Sequence, residues 1–272
     1  MRIGSHVDSI RAVTNRYLVT REDKSRQSFQ KLASGLRVAQ SSDDAGGLGI
    51  SERMRSQIRS LDVASRNTMD GIQLAKTAEG ALEEVGGTLG GMRELAMQAA
   101  TGTLAPSDQA TLDAQFQEMT EHLDFLGRAA EFNGKKLLDG SSTGVDVQTG
   151  TESGATTSVE FSEISAEALG LDGIDLSTTA GAAAALEALD DALATVHESG
   201  SELGATVNRL GSTHRQLQNS SVQISQAESR IRDVDVAMET AVLIKQQVHA
   251  KGSIALLSQG TLDAGRAKSL LG

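Results

Sequence analysis

The chain has 272 residues, 2% aromatics, one proline (Pro106), no cysteine and a formal net charge of −11. The absence of cysteine excludes disulfides, zinc–thiolate sites and thiol chemistry. No run of 18 or more apolar residues exists, which excludes an ordinary transmembrane helix, and so few rings argue against a large α/β enzyme core. The charge is uneven. Residues 1–40 carry eight Lys/Arg against three Asp/Glu, so the remainder sums to −16. An acidic bulk argues against nucleic acid. The basic N-terminal segment reads as a helix seated beside an acidic partner segment. The opening MRIGSHVDSIRAV has no apolar stretch ending in a small-residue cleavage site and does not read as a secretory signal peptide, so if the protein is outside the cell it leaves by a route that does not use one.

Both ends are periodic and the middle is not. Residues 5–34 read as helix, stopped at Ser34-Gly35. QSSDDAGG (40–47) is a polar link, in which Ser41, Ser42, Asp43 and Asp44 are candidate caps for the next helix. That helix runs from about Ala45 to Ala100. It contains Gly86, Gly87, Gly90 and Gly91, which point either to close helix packing or to a soft or kinked turn. A third helix is expected over about 107–130, opened by Pro106. Phe132-Asn133-Gly134 is a turn signal. Residues 144–149 and 157–163 alternate apolar and polar and predict a β-hairpin. The stretch 140–181 is rich in Gly, Ser and Thr and reads as poor in core residues. From residue 182 the chain returns to helix. Leu203, Leu210, Leu217, Ile224, Ile231 and Met238 fall at strict sevens, which predicts a coiled-coil seam and a helix continuing to about Ser258. The expected fold is mainly α: a long antiparallel helical bundle or coiled coil formed by the N- and C-terminal halves, with a small β-hairpin between them.

Chemistry finds no foothold. The five histidines lack metal-ligand spacing, and His197-Glu198 does not complete HExxH because position 201 is Ser. Asp43 and Asp44 precede a helix, so capping explains them better than acid–base catalysis. Ser28–Lys31 fits SxxK without its companion motifs. No catalytic residue, metal site or cofactor is expected.

Several segments resemble bacterial flagellin. They are LASGLRV (Leu32–Val38), SSDDAGGLGISERMRSQIRSL (Ser41–Leu61), RNTMDGI (Arg66–Ile72), TAEGAL (Thr77–Leu82), MRELAMQAATGT (Met92–Thr103), FNGKKLL (Phe132–Leu138), LGATVNRL (Leu203–Leu210) and SRIRDVDVAMET (Ser229–Thr240). Their order and spacing also resemble the family's, over nearly the whole chain. The opening is not Asn-rich and the tail lacks the family's proline. With only about 45 residues between the helical halves, the chain resembles a minimal flagellin.

The resemblance implies a non-enzymatic subunit that polymerises into the extracellular flagellar filament used for motility. It would be exported unfolded through the flagellar secretion channel. An inner terminal-helix domain is expected over 1–43 and 233–272, and an outer helical domain over 44–232 with the hairpin near 140–181. Expected subunit contacts are Ile10, Val13, Tyr17, Leu18, Phe29, Leu32, Ile50, Met54, Ile58, Leu61, Ile231, Val234, Met238, Val242 and Val248. Expected partners are other copies of the chain, an export chaperone on the C-terminal helix (about 232–270), and the filament cap and hook-associated proteins; neither nucleic acid nor membrane insertion is expected. Arg93 and Leu95 resemble part of the patch read by the flagellin-sensing toll-like receptor, but the family's arginine and glutamate are replaced by Gly91 and Gln115, so weak recognition is expected. The alternatives are the hook–filament junction protein, which shares the helical plan, and a secreted coiled coil that inserts amphipathic helices into membranes.

Overall fold

In a computed structural model of the chain, the backbone is described for residues 2–270 and the side chains for residues 12–260. Long aliphatic-periodic stretches and a single proline give five helices among the described residues. Helix α1 spans Arg2–Ser34 and stops at Gly35, whose φ of +72° is left-handed. Helix α2 spans Ser41–Ala99, but Asp44 within it is extended (φ −163°, ψ 97°). Regular helix therefore begins at Ala45, with Asp44 as its cap: its Oδ1 accepts the Gly47 N–H at 2.9 Å. Helix α3 (Pro106–Ala129) starts on its proline, where the missing N–H costs nothing.

The turn signal at Asn133-Gly134 proves to be a complete miniature hairpin. Strands β1 (Glu131–Phe132) and β2 (Lys135–Lys136) pair antiparallel. Asn133 (φ 50°) and Gly134 (φ 80°) both adopt the left-handed conformation that a two-residue hairpin loop requires. The expected central hairpin forms from β3 (Gly144–Gln148) and β4 (Thr156–Glu160), with Val145 opposite Val159 and Val147 opposite Thr157. Helix α4 spans Thr179–Arg232 and α5 spans Val236–Leu270.

The helix expected to run unbroken to about Ser258 is interrupted at Asp233–Asp235, and its second part continues to Leu270. The break has a long-range cause. The segment after α1 returns to this point and takes backbone groups that a helix would use internally. Leu36 bridges Asp233, the Arg37 N–H donates to the Arg232 carbonyl, and the Val234 N–H donates to the Gly35 carbonyl. Asp235 then caps α5, its Oδ1 accepting the Met238 N–H at 3.0 Å.

The chain forms two compact units. The terminal unit comprises Met1–Ile58 and Gln223–Gly272, and the central unit comprises Arg59–Val222. By sequence the terminal unit carries +5 and the central unit −16. The basic helix α1 packs on α5, whose described side chains include one acid (Glu239) and two bases (Lys245, Lys251). The acidic partner segment expected for α1 is therefore not its neighbour.

In the central unit α2 and α4 run antiparallel. Ser65 meets His214 and Arg93 meets Asp190. The core joins Leu82, Val85, Leu89 and Met92 of α2, Phe116 and Leu123 of α3, and Leu189, Val196, Leu203 and Leu210 of α4. The central stretch is not poor in core residues, as expected, but supplies Val147, Val159, Phe161, Ile164, Leu169, Leu171 and Leu176, all buried. Two aspartates of α3 hold it there. Asp124 accepts the Ala166 N–H at 2.8 Å and Asp113 accepts the Leu176 N–H at 2.9 Å. The fit is close enough that a Cβ at Gly127 would stand 2.1 Å from the Ile164 carbonyl oxygen.

The four-glycine stretch of α2 neither kinks nor demands close packing throughout. Its backbone stays helical, and a Cβ at Gly86, Gly87 or Gly90 would meet nothing within 4 Å. Only Gly91 is tight, against Met119 Cε at 2.7 Å. Helix propensity alone then decides the outcome: Gly86→Ala and Gly87→Ala should each stabilise the soluble subunit by about 1 kcal/mol. Urea unfolding checks this; loss of stability in either variant contradicts it.

Candidate assembly surface

Helices α1 and α5 pack against each other within the terminal unit. Each carries one row that is less exposed than its surroundings. On α1 the row is Thr14, Leu18, Arg21, Ser25, Ser28 and Leu32; on α5 it is Glu239, Leu243, Gln246, Ala250, Ser253 and Leu257. The spacing alternates fours and threes, the repeat of a coiled-coil seam. The chemistry is inverted, because most of these residues are polar or small. Among the described residues of the two helices, only Ser28 and Gln246 are buried, and the Ser28 hydroxyl donates to Gln246 Oε1 at 3.5 Å.

The large apolar side chains instead face outward. On α1, Tyr17 is 63% and Phe29 66% exposed, and Val13 and Val19 are exposed with them. On α5, Met238 is 69% and Leu256 74% exposed, beside Val236, Ile244, Val248 and Ile254. Ten large apolar side chains described on the two helices thus stand open to solvent in the single chain.

The sequence-predicted contacts divide accordingly. Val13, Tyr17, Phe29, Ile50, Met238 and Val248 are exposed. Leu18, Leu32, Met54, Ile58, Ile231, Val234 and Val242 are half-buried. Leu61 is buried in the central unit, and the side chain of Ile10 lies outside the described residues. Periodicity alone did not single out Val19, Val236, Ile244, Ile254 and Leu256. The run of sevens carried its phase through the break at Asp233–Asp235, whereas α5 restarts with its own. Only Ile244, four residues before Val248, stood one helical turn from a residue already singled out on α5.

The crossing of the Gly35–Val38 segment over the end of α4 anchors these helices. The Arg37 guanidinium donates to the Ile231 carbonyl, and Val38 is buried. Asp43 accepts the Ala39 and Gln40 N–H groups at 3.1 and 3.0 Å. Those bonds, that from Gln40 foremost, hold its carboxyl below the usual carboxylate range. Arg232 reaches Glu52 at 2.7 Å, Arg55 lies 3.6 Å from Glu52, and Arg55 lies 3.8 Å from Glu228. The hydrogen bond from Arg232 is the main cause of a lowered Glu52 pKa.

Both carboxyls titrate lower folded than unfolded, so the stability they contribute is present above the usual carboxylate range. It fades as pH falls through the lowered folded values. Acid should therefore loosen this crossing, and Glu52→Gln with Asp43→Asn should flatten the acid dependence. Amide protection factors at Arg37 and Val234 from about pH 6 to about pH 3 check this. An unchanged acid dependence in the double variant contradicts it.

In the central unit, Arg93 Nε donates to Asp190 at 2.7 Å, and Leu95 is half-buried against the core. Gln115 is exposed on α3, and the space beside Gly91 is taken by the Met119 methyl. No group of three or more His, Cys, Asp or Glu able to hold a metal occurs among the described residues, and no described helix is long and apolar enough to cross a membrane.

Comparison with known proteins agrees with this architecture. The family model for the bacterial flagellin N-terminal helical region matches residues 8–143, and that for the C-terminal helical region matches residues 186–262. The chain is 41% identical to a flagellin of Halalkalibacterium halodurans, over 87% of this chain and 88% of that one. It is 35% identical to the flagellin of Bacillus subtilis over the full length of both. Among solved structures it is similar to Bacillus cereus flagellin, with a TM-score of 0.51 and 28% identity, covering 56% of this chain and 88% of that one. Paired helical halves that meet at Leu36 and Asp233, a short central hairpin and end-to-end likeness to flagellins together establish that the chain belongs to the bacterial flagellin family, whose members are structural subunits of the extracellular flagellar filament and not enzymes.

Proposed function

We propose that the outward apolar faces of α1 and α5 are the surfaces through which copies of this filament subunit bind one another. The observation that carries this reading is the inversion of the α1–α5 pair, with a polar seam inside and Tyr17, Phe29, Met238, Val248 and Leu256 outside. Burying one such side chain contributes about 1.5–3 kcal/mol, whereas a seam built on Ser28 and Gln246 contributes little. The two helices are therefore marginal as an isolated pair and gain their stability from neighbours. Copies related by a rotation that does not close form an open helical polymer. In this reading residues 1–43 and 233–272 form the inner, tube-lining part of the filament and residues 44–232 the outer part.

The same outward face of α5 is suited to an export chaperone before assembly, and a chain without cysteine crosses a narrow channel unfolded with no disulfide to break. Filament cap and hook-associated proteins are the further partners. Recognition by the flagellin-sensing receptor is weak in this reading. Gly91 and Gln115 offer neither the arginine nor the glutamate of the family patch, and loss of an interface arginine costs about 2 kcal/mol or more. A reporter-cell response well below that of a strongly stimulating flagellin is expected; an equal response contradicts it.

Sedimentation after salt-induced assembly tests the main reading. The full chain should pellet, and a chain restricted to residues 41–232 should stay in the supernatant as a folded monomer. A restricted chain that pellets as filaments overturns it.

A further inference from the structure

We propose that Phe125 of one copy seats in a groove between α2 and α4 of the next, so that central units bind one another in addition to the terminal helices. The proposal rests on the reading of the chain as a self-assembling subunit, but not on the faces of α1 and α5. The groove has a volume of about 680 Å³. Leu82 and Val196, both buried, form its floor, and Gly86, Gly87, Gly200 and Gly204 line it. A Cβ at any of the four glycines would meet nothing within 4 Å. The single chain therefore makes no use of their small size, although each weakens its helix relative to alanine. An apolar floor left open in this way is space that a side chain of a neighbouring copy can fill.

The same unit carries a projection to match. Phe125 is 59% exposed, the most exposed phenylalanine of the central unit. The buried residues of α3 are Phe116, Leu123 and Gly127, and Phe125 is turned about 180–200° around the helix from each of them. The His122 ring stacks beside it, with centroids 6.3 Å apart, and widens the projection. A projection on α3 and a groove between α2 and α4 give a heterologous contact, which repeats from copy to copy without closing.

Charge favours one direction of docking. Exposed Glu79 and Glu83 stand at one end of the groove. Helix α3 runs antiparallel to α2, since Gln109 donates to the Ala99 carbonyl and Met119 lies against Gly91. Copies related by rotation and rise about one axis keep their helices in the same sense. In that sense Arg128, exposed three residues after Phe125, turns toward the Glu79–Glu83 end, and Glu118 and Glu121 turn away from it. The opposite sense would set Glu118 and Glu121 against Glu79 and Glu83. Unlike charges meet in the first arrangement and like charges in the second, which suppresses the wrong one.

Phe125→Ser removes the projection and Gly86→Leu fills the groove. Neither touches the core, because Phe125 is exposed and the space beside Gly86 is open. Each should raise the critical concentration of the full chain by about 10–10²-fold, the contribution of one buried aromatic side chain. The double variant should assemble no worse than the poorer single variant, because both changes remove the same contact. Single variants within about threefold of the parent overturn the contact, and so do effects that multiply in the double variant. A second readout does not depend on stability. Ala129→Cys and Ser201→Cys, both exposed and beside the ring and the groove respectively, are placed together in the otherwise cysteine-free chain. A short bismaleimide added to its filaments should give a ladder of covalent multimers, which neither cysteine alone should give. Filaments that yield no ladder overturn the contact and leave the assembly reading standing. Failure of the parent chain to form filaments overturns that reading and the contact with it.

Discussion

Phe29→Asp combined with Met238→Asp should raise the critical concentration for filament formation by about 10²–10⁴-fold and leave the unfolding of the central unit unchanged. Both side chains are exposed in the single chain, Phe29 at 66% and Met238 at 69%, so neither supports the subunit's own core. Buried between copies, each contributes about 1.5–3 kcal/mol. Losing both removes about 3–6 kcal/mol, and each 1.4 kcal/mol is tenfold in an equilibrium constant. The unpaired carboxylates add a desolvation cost in the same direction. A sedimentation series across protein concentration gives the critical value, and thermal unfolding of the soluble chain gives the control. A critical concentration within about threefold of the parent's would mean that these faces do not carry assembly. A lowered unfolding temperature for the central unit would mean that the substitutions act through the monomer.

Phe116→Ala should do the reverse, destabilising the subunit without touching the assembly faces. Phe116 is fully buried in α3 at the centre of the central-unit core. Truncating a buried Phe to Ala typically costs about 3–5 kcal/mol, because the lost transfer energy is joined by the cavity left behind. Rings are scarce in this chain, with five Phe, one Tyr and no Trp, so few large side chains stand ready to fill the gap. For a unit of this size the melting temperature should fall on the order of 10 °C. Below the new transition, filaments should still form. A melting temperature within about 2 °C of the parent would show that the core does not close on this residue.

The helices of this protein were legible because apolar spacing is a local signal and only one proline interrupts it. The Asn-Gly turn at 133–134 and the alternation on both sides of residues 150–155 were local too. What sequence reading missed depends on contacts between distant residues. The run of sevens from Leu203 to Met238 continues straight through the break at Asp233–Asp235, because the cause of the break lies at Gly35–Val38, about two hundred residues earlier. Ile164, Leu169, Leu171 and Leu176 carry no period, and what binds their loop to the core is a pair of α3 aspartates, Asp113 and Asp124, that nothing in their own spacing singles out. Within the assembly surface, Tyr17, Phe29 and Met238 were found as apolar residues on a helix, and only the fold tells the outward row from the inward one. Ser28 entered the sequence reading only as the start of an SxxK match, and nothing marked it or Gln246 as buried, since a buried serine is recognised only by what it faces.

The measurement that bears most directly on the central claim is negative-stain microscopy of the purified full-length chain after salt-induced assembly, with and without sheared filament seeds. A chain whose terminal helices turn their apolar faces toward other copies should give long, uniform filaments from the one polypeptide. If none form even on seeds, the chain does not polymerise by itself and the outward faces of α1 and α5 serve another partner.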